Sequence, residues 1–594
     1  MTSAVRSVLE MLALVVRTDR RKMLVAVSLM VAGGATWPAL ALALRAGIDA
    51  AAAHDAARAT QAGVLIALCT IGVMMLQHFA YIPYAESAEL ATITLESELI
   101  DLANASTSLR HHEDHEFTER MTVMQKGVGE FHDGILGLMS LVALATSALL
   151  TGVVLLFVSP WLLLLPVAAV LPVVAGQRAQ VILNRAKERG AAQTRAASEL
   201  FELATTAAPA KELRLCRLQG EVRRRHADLW DAIGTTLWTA ERRAAAITAL
   251  GQLAFGAAYV GGVLLVLRQT ISGRGTVGDV VLVIVLAAQV SQQVNSALDL
   301  FRRLQRMAQG MTRLRWLREA VAEPPGAVAT TPPPPALRHG IDLEHVSFAY
   351  PGTAREILSD VTVHLPAGST VALVGENGAG KSTLVNLLCR FYETTGGRIV
   401  VDGVDLAQVS PQEWRARVAA GFQDFVRFEV LARHCVGLGD LARTDDDAAV
   451  ADALDRARAE QVVDGLADGL DTQLGRTWTD GSELSGGQWQ KLAISRAMMR
   501  TSPLLLVLDE PASALDAEAE HDLFDRYAQN AVRVGRETGA VTVLVSHRFS
   551  TVQMADTIVV LSQGRVVDHG DHASLLQRGG LYAELYGLQA AAYS

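Results

Sequence analysis

The stretch Thr370-Val-Ala-Leu-Val-Gly375-Glu376-Asn377-Gly378-Ala379-Gly380-Lys381-Ser382-Thr383-Leu384 decides how the chain is read. A short apolar strand runs into a glycine loop, and the loop opens a helix whose apolar positions return at Leu384, Leu387 and Leu388. From Gly375 to Ser382 the letters match Gly-x-x-x-x-Gly-Lys-Ser/Thr, a phosphate loop. Glycines let successive N–H groups turn toward one anion, and the N-terminus of the following helix adds its positive dipole end. Lys381 then reaches the β- and γ-phosphates, and the Ser382 hydroxyl is placed for Mg2+. A nucleoside triphosphate site follows, and what it drives has to be read from the rest of the chain.

At 594 residues, with 50% hydrophobic against 19% charged, the chain is long enough for several domains and too apolar to be wholly soluble. Cys69, Cys216, Cys389 and Cys435 are scattered without a Cys-x-x-Cys pair, which argues against a disulfide framework or a zinc site. The formal net charge of -9 argues against nucleic acid as the partner.

Six apolar runs precede the phosphate loop: Met23 to Leu44, Gly63 to Phe79, Leu136 to Val158, Trp161 to Val174, Ala244 to Leu267 and Val277 to Leu298. About 20 residues cross a hydrocarbon core of ~30 Å, so six spans are expected. Before them, Val5 to Val16 reads as an amphipathic helix lying on the membrane, because its basic cluster Arg17 to Lys22 follows the apolar run instead of preceding it. Long segments rich in Arg, Lys and Glu separate spans two and three and spans four and five, whereas the other connections are short. Lys and Arg near the span ends place these long segments, both termini and the phosphate-loop domain in the cytoplasm of a multi-pass inner (plasma) membrane protein.

His111-His112-Glu113-Asp114-His115-Glu116 has metal-ligand chemistry but no second cluster, and is read as a solvated turn. Pro209 to Leu215 reads as a short transverse helix. In the sixth span Gln289, Gln292, Asn295 and Ser296 share a helical face. Amides in lipid are costly, so that face serves either bonds between helices or substrate contact. Arg45, His78 and Tyr81 are weaker candidates of the same kind. The prolines of Glu323 to Pro335 make a stiff tether. The expected domains are an interfacial helix over 1–22, a transmembrane domain over 23–320, a Pro-rich linker over 321–340 and a nucleotide-binding domain over 341–590.

Beyond the linker, an alternating strand ends in the exposed aromatic Tyr350, suited to stacking on a purine. Leu504-Leu-Leu-Val-Leu508-Asp509-Glu510 is a buried parallel strand delivering two carboxylates where α/β sheets bind ligands. Asp509 is expected in the Mg2+ shell, and Glu510 is expected to polarise the attacking water.

Between the loop and these carboxylates sits Leu484-Ser485-Gly486-Gly487-Gln488, which resembles the signature of the ATP-binding cassette (ABC) transporters. With six spans ahead of it, the whole chain resembles an exporter-type half-transporter: a six-helix membrane domain with long helical stalks, followed by an α/β ABC ATPase domain. The resemblance implies roles residue by residue. Tyr350 is similar to the adenine-stacking aromatic, and Gly375, Glu376, Asn377, Gly378, Ala379, Gly380, Lys381, Ser382 and Thr383 to the phosphate loop. Gln423 resembles the glutamine that senses Mg2+ and water, so that Ser382, Gln423 and Asp509 form the implied Mg2+ set. Asp516 resembles the D-loop aspartate and His547 the switch histidine, which joins Glu510, Lys381 and Gln423 in catalysis. Ser485, Gly486, Gly487 and Gln488 would close over ATP held by a second subunit. Asp114 to Arg120 and Pro209 to Leu215 fall where the family has its coupling helices.

What this implies is ATP-driven export of a small or medium amphiphile (peptide, antibiotic, other natural product or lipid) by a homodimer or a heterodimer, with ATP closing the cassettes and hydrolysis resetting them. An importer on the same fold, such as one for a metal chelate, is the alternative. A non-transport ATPase is opposed by the six spans, and a gated channel by the intact hydrolytic residues.

Overall fold

The computed structural model describes residues 6, 9–13, 15, 19–207, 209–321, 331–353, 355–510, 517–546 and 548–593. The described chain divides into two compact units, Met1–Ala103 with Glu119–Ala320, and Asn104–Thr118 with Val321–Ser594.

The first unit is helical. Among the described residues six helices are long and apolar enough to cross a membrane: Arg20–Ala52, Ala56–Asn104, Gly127–Val158, Pro160–Arg189, Gln219–Ile271 and Val277–Val321. All six apolar runs read from the sequence fall inside them. The first begins on an aspartate cap, Asp19 accepting from the backbone N–H groups of Arg21 and Lys22. Of the interfacial helix read before it, only part lies within the described residues, and those are helical. Spans one, three, four, five and six share a core that includes Ala41, Leu155, Leu165, Phe255 and Leu286. Small residues let spans four and five approach closely: a Cβ on Gly251 would stand 2.6 Å from that of Ala175.

Polar side chains also tie these helices together. Arg45 pairs with Asp279 at 2.9 Å, joining the end of the first span to the start of the sixth. Asp49 accepts from the Thr276 hydroxyl and the Gly278 N–H at the same place, both at 2.9 Å. Arg45 thus serves a contact between helices. Gln289 and Gln293 both donate to Ser147 of the third span, at 2.8 and 2.9 Å, so the Gln289 amide is also used between helices. Gln292 and Asn295 remain exposed in this chain.

Among the described residues the second unit carries two sheets. Strands β1 (Gly340–Ala349), β2 (Glu356–Pro366), β4 (Gly396–Val401) and β5 (Val404–Asp405) form an antiparallel sheet in the order β2-β1-β4-β5. Strands β3 (Thr370–Gly375), β6 (Val418–Gly421), β7 (Leu505–Asp509), β8 (Val541–Val545), β9 (Thr557–Ser562) and β10 (Arg565–Gly570) form the larger sheet in the order β10-β9-β3-β8-β7-β6. All neighbours there are parallel except β9 and β10. β7 and β8 are buried along their whole length, as their unbroken apolar runs require. The glycine loop after β3 and the carboxylates after β7 therefore leave the sheet on one edge, with β8 between them.

Residues Asn104–Thr118, between spans two and three, pack with this second unit. The transverse helix here is Arg110–Glu113, a few residues before the stretch read from the sequence. Asp114 instead caps the helix that follows, accepting from the Glu116 N–H at 2.8 Å. The histidine run is half consumed by this turn, and His111 lies 5.4 Å from the Phe117 ring. The second transverse helix is Ala210–Leu215, inside the segment read for it. The described end of the proline segment is bound to the second unit: Thr331 bridges Val409, and the Pro335 carbonyl accepts from Arg417 at 2.8 Å.

Candidate nucleotide site

The loop from Gly375 to Gly380 is shaped by what a side chain would strike. A Cβ on Gly380 would stand 2.7 Å from Leu358 Cδ2, and its φ of 102° lies in the left-handed region that glycine tolerates. Gly380 caps the helix Lys381–Leu388, so the free N–H groups of its first turn face the loop. Lys381 bends back over that loop, donating to the carbonyls of Gly375 at 2.8 Å and Glu376 at 3.0 Å. Burial lowers its pKa, and the carboxylates of Glu510 and Asp509 act in the opposite sense.

A cleft of about 400 Å3 opens above the loop, lined among others by Tyr350, Lys381, Ser382, Gln423, Asp509 and Glu510. Asn377, Gly378, Gly380 and Thr383 also line it, while Glu376 is exposed beside it and Ala379 is buried beneath. The Tyr350 hydroxyl lies 3.2 Å from that of Thr383, which fixes the ring at the rim. Phe348 and Tyr392 meet the Tyr350 ring edge-on, at 5.0 and 5.4 Å between centroids.

Asp509 is buried at the end of β7, and its pKa is pushed up to about 6, first by burial and then by neighbouring Glu510. Lys381 and the Ser382 hydroxyl pull it back down. Glu510 has left the strand with φ 46°, an uncommon backbone conformation for a side chain of its size. Its N–H donates to the Val545 carbonyl at 2.9 Å, and its carboxylate accepts from the Gln423 amide at 2.9 Å. A shielded carboxylate beside a hydroxyl and a lysine fits a hard divalent cation bound with phosphates.

Ser485 and Gln488 close a reciprocal capping box, Ser485 N donating to Gln488 Oε1 at 2.8 Å and Gln488 N to Ser485 Oγ at 3.3 Å. Ser485, Gly486, Gly487 and Gln488 do not line the cleft of their own chain. The segment before them is pinned by Glu429, whose backbone carbonyl accepts from Trp478 Nε1 at 3.0 Å. Asp516 and His547 lie outside the described residues. Sequence reading passed over Arg355 and Ile357, which line the cleft next to Tyr350. The only local signal for Arg355 is a cation just after an exposed aromatic turn.

A phosphate loop, a carboxylate pair at a parallel strand end and a glycine-flanked signature helix on a separate surface define an ABC ATPase domain. Carried behind six membrane-length helices, it gives the chain the half-transporter fold of the ABC exporters. Residues 358–513 match the family described as "ABC transporter". The chain aligns over 96% of its length with a solved "bacterial Atm1-family ABC exporter with ATP bound", covering 98% of that chain at 25% identity and a TM-score of 0.77. It is 45% identical over 256 residues to an "ATP-dependent lipid A-core flippase" of Ralstonia nicotianae, covering 43% of this chain and 41% of that one. A protein of the same name from Pseudomonas putida is 36% identical over 328 residues, 55% of this chain and 52% of its own. The matches thus span about half the length of these relatives.

Proposed function

We propose that the chain is one half of an ATP-driven exporter of amphiphilic cargo, working in a bacterial inner membrane as a pair of chains. The observation that carries this reading is the gathering of Lys381, Ser382, Gln423, Asp509 and Glu510 in one cleft of a chain with six membrane-length helices. Lys381 and the N–H groups of the phosphate loop hold the triphosphate, and Tyr350 takes the base. Ser382, Asp509 and Gln423 hold Mg2+, which offsets the charge of the phosphates when bound. Glu510, aimed by Gln423, polarises the attacking water. Asp516 and His547 are assigned to the same chemistry by their place in the sequence.

The signature turn needs a nucleotide that its own cleft does not supply. A second copy supplies it, so two cassettes enclose two ATP molecules. Closure draws the helical stalks together and hydrolysis releases them, giving two states of the membrane domain. The names of the curated relatives favour a lipid among the possible cargoes.

Glu510→Gln tests the reading. The variant is expected to bind ATP, to hydrolyse it at least about 100-fold more slowly, and to accumulate as a cross-linkable closed pair. Turnover near that of the unaltered protein would remove Glu510 from its role.

A further inference from the structure

The polar side chains of the sixth span have different surroundings in the structure. Gln289 and Gln293 are spent on the third span. Ser291 and Asn295 open on a recess of about 550 Å3, which Gln252 and Tyr259 enter from the fifth span. Phe255 and Pro172 contribute apolar wall. The volume lies within the range of about 300–1,000 Å3 usual for small-molecule sites. Among the described residues none of the four polar side chains has a hydrogen-bond partner, although all sit inside apolar runs. Amides and hydroxyls at membrane depth are costly unless something satisfies them.

Charge decides what that something is. Residues 23–44, 59–85, 134–177, 244–267 and 280–298 contain no Lys, Arg, Asp or Glu. Arg45, just beyond the first of these, is held by Asp279. An anionic head brought into the recess would lose its water and meet no opposing charge. A neutral head would exchange bonds to water for bonds to two amides and two hydroxyls.

Resting on the exporter reading above, we propose that this recess takes an uncharged amphiphile, its head bonded to Gln252, Tyr259, Ser291 and Asn295 and its apolar part laid on Phe255 and Pro172. Two single-chain lipids that differ by one phosphate test it: 1-oleoylglycerol and 1-oleoyl-lysophosphatidic acid. ATP hydrolysis by the full chain in nanodiscs is titrated with each. The neutral lipid is expected to stimulate turnover and the phosphorylated one to stimulate it less. Asn295→Leu and Gln252→Leu, apolar changes that the bilayer tolerates, should each raise the half-maximal concentration of the neutral lipid about three- to tenfold, the loss of one neutral hydrogen bond. Asn295→Gln should restore most of the response. Equal or greater stimulation by the phosphorylated lipid overturns the proposal, as does indifference to both lipids or an unchanged titration in both leucine variants. Absence of any vanadate-sensitive hydrolysis before lipid is added would overturn the exporter reading as well, which separates the two failures.

Discussion

Gln423 donates its side-chain amide to the Glu510 carboxylate at 2.9 Å, joining the residue two places beyond β6 to the one just beyond β7. The two strands are parallel neighbours, with Gly421 opposite Leu508, so the contact is set by backbone register.

Gln423→Glu keeps the size and leaves two carboxylates to share one place. One of them must hold a proton more tightly, so the acid limb of the pH–rate profile of ATP hydrolysis should move up by about one unit. Gln423→Ala should slow turnover and move the limb less than Gln423→Glu does. An unmoved profile in Gln423→Glu would show that the two side chains do not face each other during turnover.

Asp509 makes a stability prediction with a definite sign. Its folded pKa of about 6 lies above the ordinary aspartate value. The stability it contributes is therefore full below about pH 4 and is lost as pH rises through about 6. Asp509→Asn removes this loss. Without nucleotide, the variant should melt at the same temperature as the unaltered protein near pH 4, and about 2–4 °C higher at pH 7 or above. Millimolar Mg2+ should narrow the difference at pH 7, because the cation favours the charged carboxylate. A gain of equal size at pH 4 and pH 8 would contradict the assignment of burial as its cause.

Much of the nucleotide site was legible because its pieces are local. Gly375 to Ser382 lies within one strand, turn and helix, and Asp509 and Glu510 end one apolar run, so spacing alone placed them. The spans were legible for a similar reason, since uncharged length is a property of the sequence. Residues set by tertiary contact were not legible. Gln293 has the same letter as Gln289, and only the approach of Ser147 and Thr151 shows that it joins the third span. The facial reading of Gln289 with Gln292 and Asn295 left bonds between helices and substrate contact open, and for Gln289 the structure shows the bond between helices. The first transverse helix, which the family resemblance puts at Asp114 to Arg120, lies at Arg110–Glu113, and Asp114 caps the helix that follows. Tyr392, against Tyr350, has no local signal at all.

Arg415 carries the last prediction. Its guanidinium donates to the carbonyls of Thr107 and Arg390 and, at 3.3 Å, to that of Cys389, while its carbon centre stands 5.1 Å from the Phe391 ring. The Phe391 carbonyl accepts from Ser108 Oγ at 3.0 Å and from the Leu109 N–H at 3.2 Å. Thr107 to Leu109 belong to the connection between spans two and three, and Phe391 lies just past the helix that begins at Lys381. One planar fork therefore ties that connection to the far end of the phosphate helix, a geometry that an ammonium does not reproduce. Arg415→Ala leaves three carbonyls without this donor, at a cost of about 1–3 kcal/mol if they stay buried. Local opening is the cheaper course, so amide hydrogen exchange over residues 104–118 should accelerate about tenfold or more, while β3 stays protected. Arg415→Lys should fall between the two proteins. ATP affinity should be nearly unchanged, because no atom of Arg415 lines the cleft, and 1-oleoylglycerol should lose most of its effect on turnover. Faster exchange across β3 as well would mean that Arg415 holds up the domain as a whole, and its place as a link between the connection and the phosphate helix would have to be given up.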